Sequence, residues 1–102
     1  MAERYLQETR DLARALDRHQ AFRDITQAYL MVNGRWSQQT NTLEFCFRGN
    51  TYLAEVSSEG IRLKRAKGFN AISDIGTIIP SGTPNLAHNI ALVLSALGGM
   101  AA

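Results

Sequence analysis

Between residues 43 and 64 apolar and polar positions alternate, and turn residues punctuate the alternation. A period of two marks strands with one buried face. A Gly49-Asn50 loop would pair Arg48 with Thr51, Phe47 with Tyr52, Phe45 with Ala54 and Leu43 with Val56. One face of the resulting meander carries Leu43, Phe45, Phe47, Tyr52, Ala54 and Val56, and Ile61 and Leu63 join it from a third strand. The opposite face carries Glu44, Cys46, Arg48, Leu53, Glu55, Arg62 and Lys64. In this register Glu44 stands opposite Glu55, an unfavourable like-charge pair that Arg62 or Lys64 would relieve.

The N-terminal third has a longer period. Residues 3–16 read as a helix with Tyr5, Leu12 and Leu16 on one face and Leu6 and Ala13 beside them. Phe22, Ile25, Tyr29 and Val32 form a second stripe at i, i+3, i+7 and i+10, out of phase with the first. A break near residues 17–19, with Asp17 and Gln20 at capping-box spacing, separates two helices. Asn33-Gly34 fits a helix C-cap or a type I′ hairpin turn. The stripe running through Val32 favours the cap. Residues 35–39 then form a short first strand with Trp36 pointing inward, and Thr40-Asn41 is a turn.

After the meander the pattern is ambiguous. Ile72, Ile75, Ile78 and Ile79 have helix-like spacing, but Gly76 and the β-branched run 77–79 favour extension. The reading is a turn or short helical piece near 71–75, followed by a strand over 77–79. Thr83-Pro84 then starts a helix, with Thr as N-cap and Pro at the first helical position. Leu86, Ile90, Val93, Leu94 and Leu97 make its buried stripe, and Gly98-Gly99 stops it. Ala and Leu fill most positions between, so this helix is deeply buried or packs at an interface. The fold class is therefore α+β: an N-terminal helix pair, an antiparallel meander of three to five strands, and an apolar C-terminal helix packed on the sheet.

Composition adds limits. A chain of 102 residues is one domain, long enough to bury a core without metals or disulfides. One cysteine excludes an internal disulfide and a thiolate zinc cluster, and fits a reducing, cytoplasmic setting. No basic start leads into an apolar run and no stretch is long enough to span a bilayer, so neither a secretory leader nor a membrane partner is expected. Charge is uneven. Residues 1–30 balance five arginines against five acids, 31–70 hold six bases against three acids, and 71–102 hold only Asp74.

Candidate chemistry is sparse. His19 and His88 lack the clustered partners of a metal site, so no metal or cofactor is expected. Cys46 has no base and orienting group at recognisable spacing, so it reads as a packing residue. The stretch 76–84 lacks the lysine of a phosphate loop. No paired carboxylates stand out, and no catalytic residue is assigned. Two basic strips remain: Arg10, Arg14 and Arg18 along one helix face, and Arg62, Lys64, Arg65 and Lys67 on the third strand. Both could contact phosphates, although Phe45, Phe47 and Tyr52 point away from that face and supply no stacking platform. The order of helix, three-stranded meander and later helix resembles small dimeric secretion-chaperone folds in architecture alone. The leading expectation is a non-enzymatic binding or assembly module, acting as a homodimer or with a protein partner through Leu86, Ile90, Val93, Leu94 and Leu97. The alternative is nucleic-acid binding through the basic strips.

Overall fold

The computed structural model describes residues 2–67 and 72–101, with side chains over 5–67 and 72–97. Helix α1 (Ala2–Arg18) precedes five strands: β1 (Phe22–Val32), β2 (Arg35–Phe47), β3 (Asn50–Ser57), β4 (Gly60–Ala66) and β5 (Ile72–Ile79). Helix α2 (Leu86–Ala101) follows. The strands form one antiparallel meander in the order β1-β2-β3-β4-β5. The fold is α+β, as the residue pattern predicts, but one helix rather than a pair precedes the sheet.

The residues expected to form the second helix are β1. The i, i+3 spacing of Phe22 and Ile25 comes from a bulge, whereas Tyr29 and Val32 point to opposite faces of an unbroken ladder. Asp24 has φ 55 and sits in a register shift between Arg23 and Thr26. An extra residue there turns strand parity by one step, so Phe22 and Ile25 both reach the core side. Asn33-Gly34 is the hairpin turn, with φ 51 and 78, both left-handed as a type I′ turn requires.

The second hairpin turns one step earlier than the Gly49-Asn50 reading. Arg48 and Gly49 hold the left-handed positions (φ 51 and 82), and Phe47 pairs with Asn50. The register moves by two residues, which preserves every side chain's face. Leu43, Phe45, Phe47, Tyr52, Ala54, Val56, Ile61 and Leu63 are all buried in the core cluster. The like-charge pair disappears: Glu44 faces Leu53, and Thr42 faces Glu55. Leu53 is buried on the outer face, on the central strand between Glu44 and Lys64, whose long stems can cover it.

Residues 72–75 belong to β5; 69–71 lie outside the described residues. A second bulge interrupts the β4–β5 ladder but adds two residues, which leaves strand parity unchanged. Gly76 has φ 82, its N–H donates to Asp74 Oδ1 at 2.7 Å, and the ladder slips there opposite β4. Simple alternation runs through it: Ile75 and Ile79 pack on the core while Ile72 and Ile78 stay exposed.

Both helices cover the same sheet face. Leu12 and Leu16 of α1 and Ala87, Ile90, Ala91 and Leu94 of α2 share the core with the strands. Helix α2 starts at Leu86, later than the Thr83-Pro84 signal, because Thr83 Oγ1 donates back to the Pro80 carbonyl at 2.7 Å and Asn85 takes φ 52. It also continues through Gly98 and Gly99 to Ala101. A helical glycine costs about 1 kcal/mol relative to alanine, a penalty that need not end a helix.

Candidate functional site

The expected contact stripe on α2 is spent mostly inside the chain. Ile90 and Leu94 are buried, and Leu86, Val93 and Leu97 are half-buried against the core. The exposed line of the helix is His88, Leu92 and Ala96, with Leu92 at 54%. The apolar character read from the sequence therefore reflects burial by α1 and the sheet, with Leu92 as the large apolar side chain left outside.

The basic strips do not form one surface. Arg10, Arg14 and Arg18 are exposed on α1, on the helix-covered side of the sheet, and Arg14 lies 3.8 Å from Asp11. Strand parity divides the other strip. Arg62 and Lys64 alternate with the buried Ile61 and Leu63 and so point to the outer face. Arg65 pairs across the ladder with the buried Tyr52 and donates to Asn50 Oδ1 at 3.1 Å. Lys67 is exposed just beyond the strand. The outer pair is already engaged with acids. Arg62 contacts Asp74 at 2.9 Å and Glu59 at 3.2 Å, and Lys64 lies 3.5 Å from Glu55. The Asp74 carboxyl is held below the usual carboxylate range, first by the Gly76 N–H; burial opposes this, and the hydrogen bond and charge of Arg62, with the charge of Lys64, add to the lowering. Hydrogen bonding and charge from Asp74 raise the Arg62 guanidinium above its already high value.

His19 and His88, distant in sequence, come together where α1 ends beside α2, with ring centroids 6.2 Å apart. His19 also meets Phe22 edge-on at 5.3 Å, and its Nδ1 accepts the Ala21 N–H at 3.3 Å. Among the described residues no group of three His, Cys, Asp or Glu side chains could hold a metal. Cys46 lies 3.8 Å from Thr51 Oγ1, beside a shallow depression that also touches Arg23, Asp24 and Arg48 but no histidine.

Two features were not legible as sites in the sequence. The first is an arm. β2 pairs with β3 only over residues 42–47, whereas its N-terminal part pairs with β1 alone. At the base of this ribbon residues 39–42 lie opposite the single Ala28, a large irregularity. Asn41 anchors the base by donating to the Val56 carbonyl at 3.1 Å, and Gln38 donates to Gln27 at 2.8 Å. Beyond it, Tyr29 is 57% exposed, Met31 43%, Val32 46% and Trp36 50%. These are four of the seven exposed large hydrophobic residues among those described, so the exposed apolar surface is concentrated on the arm. Met31 pairs directly with Trp36, and Val32 with Arg35. Successive residues alternate faces, so the tip is apolar on both sides. The helical stripe through Val32, and a short strand over 35–39 with Trp36 inward, both pointed away from an arm.

The second is a groove of about 320 Å³ between α1, the β3–β4 corner and the start of α2. Leu12, Ala15, Val56, Ile61 and Leu86 make its apolar wall, Ser81 and Gly82 close one side, and Glu8 and Asp11 stand on the helix side. Among the described residues it holds two acids and no base, and its parts come from segments too far apart for sequence spacing to join. No family model matches the chain, and no match is found among curated proteins or solved structures.

Proposed function

We propose that this protein is a non-enzymatic binding and assembly module that works as a homodimer. The observation that carries the reading is the arm: Tyr29, Met31, Val32 and Trp36 are each more than two-fifths exposed on one projecting ribbon. Apolar residues scattered singly on a surface are ordinary, but a concentrated apolar patch is characteristic of protein contact sites. An isolated two-stranded ribbon is also marginal in water, and covering its apolar faces would stabilise it. The contact we assign lies on the arm. The stripe Leu86, Ile90, Val93, Leu94 and Leu97 serves the fold, since α2 buries most of it against the chain's own core.

Light scattering during dilution from micromolar concentration tests the reading. The expected result is a dimer mass that falls towards the monomer mass as the protein is diluted. A monomer at every concentration overturns it.

A further inference from the structure

The arm and the groove have complementary chemistry and lie at the same end of the sheet. In an antiparallel meander alternate turns share an end. The Asn33-Gly34 turn at the arm's tip, the β3–β4 turn beside Val56 and Ile61, and the end of β5 leading to Ser81 and Gly82 are therefore neighbours along the strand direction. The arm's only charge is Arg35; no other Asp, Glu, Lys, Arg or His occurs between residues 25 and 43. Val32 stands across the ladder from Arg35, and Met31 and Trp36 form the next pair, on the opposite face of the ribbon. The groove offers the reverse, with an apolar wall beside Glu8 and Asp11. Asp11 Oδ1 accepts an exposed hydrogen bond from Gln7 at 3.0 Å, and its contact with Arg14 is long, 3.8 Å, with both side chains more than three-fifths exposed, so the ion pair is weak, screened and able to exchange partners. The arm cannot reach its own groove without breaking the ladder that holds residues 29–32 against 35–38. A second copy turned end to end presents its groove where the arm points.

We infer that the dimer forms by reciprocal arm exchange: the tip of each β1–β2 arm wedges into the groove of the second copy, with Val32 and Arg35 on one face of the wedge and Met31 and Trp36 on the other, and brings Arg35 to its Asp11. This rests on the homodimer reading and specifies its contact. Because the exchange is reciprocal, a two-fold axis makes the two contacts equivalent, and the assembly closes at two copies. Apolar contact supplies most of the binding, and the charge pair sets which surface the arm chooses.

The charge pair allows a test by exchange. Arg35→Glu places two like-charged contacts in its own homodimer, and so does Asp11→Arg. Each variant should dimerise at least about tenfold more weakly than the wild type, equivalent to about 1.4 kcal/mol. An equimolar mixture should recover a dimer containing one copy of each, because the introduced glutamate then meets the introduced arginine while the other contact stays native. Native mass spectrometry resolves the three species. Circular dichroism of each variant checks that these exposed substitutions leave the fold intact. The chain's single tryptophan gives a second readout: Trp36 emission should move to longer wavelength as the wild type dissociates. A wild-type dimer that survives both substitutions, or a mixture with no preference for the mixed pair, overturns arm exchange and leaves the homodimer standing. A wild type that is monomeric throughout overturns the homodimer itself.

Discussion

Gly60 shows how much one side chain can depend on its neighbours. Its φ is +123, and an added Cβ would lie 2.5 Å from the Ile79 carbonyl oxygen and 3.2 Å from Pro80 Cα, both backbone atoms. Gly76 also has positive φ, +82, but open space around it. Gly76→Ala should therefore cost only the left-handed penalty, about 1–2 kcal/mol. Gly60→Ala should cost about 1–3 kcal/mol more, because two strands must also separate. Urea midpoints of both variants, at unchanged slope, measure the difference. Asp74 supplies a pH-dependent contrast. Its carboxyl is depressed in the folded chain by the Gly76 N–H and Arg62. Its contribution is therefore complete above the ordinary carboxylate range and is lost as pH falls through the lower folded value. Asp74→Asn should be less stable than the wild type at neutral pH, and the two unfolding curves should converge in acid. A gap that persists unchanged in acid would remove the carboxylate from the account.

At the scale of elements, the meander was legible because a simple alternation survives even a two-residue error in register. Leu43 through Leu63 were assigned to the correct face although the turn itself was misplaced. Strand β1 was illegible for the opposite reason. Its bulge at Asp24 adds a residue, and an alternating pattern with one insertion reads as i, i+3. Strand β5 was illegible for another reason: Gly76 interrupts it and isoleucines stand on both of its faces, so a regular alternation reads as helical spacing. Helix α2 was legible as a helix, but its surroundings were not, because apolar residues on every side cannot say which of them the core takes. The structure divides them: Ile90 is fully buried and Leu92 is 54% exposed. Ile90→Ala should cost about 2–5 kcal/mol, as truncation of a packed core side chain does. Leu92→Ala should stay within about 0.5 kcal/mol, as a surface change away from special features does. Thermal unfolding of the two variants checks the division. Equal losses would mean that Leu92 is covered in solution.

At the scale of the whole molecule, the groove and arm follow from which segments the fold makes neighbours. Groove residues near positions 8–15, 56–61 and 81–86 meet only because α1 and α2 share one sheet face, a juxtaposition that no local pattern encodes. The arm arises because β2, at 13 residues, outruns the eight-residue β3 beside it. Its outer part contributes nothing to the core cluster, which contains no residue from 29 to 38. Folding and assembly should therefore be separable. Removing Leu30, Met31, Trp36 and Ser37 together takes two residues from each side of the ribbon. The deletion keeps the Asn33-Gly34 turn and preserves the face of every remaining side chain. The shortened protein should keep its circular dichroism and a cooperative unfolding transition, because Phe22, Phe45, Leu63 and Ile90 remain packed. It should also remain monomeric at concentrations where the full chain dimerises. Loss of the cooperative transition would mean that the arm supports the core through its base at Ala28 and Asn41. An undiminished dimer would place the contact elsewhere, with Leu92 on α2 or Ile72 and Ile78 on β5 as the remaining exposed apolar side chains among the described residues.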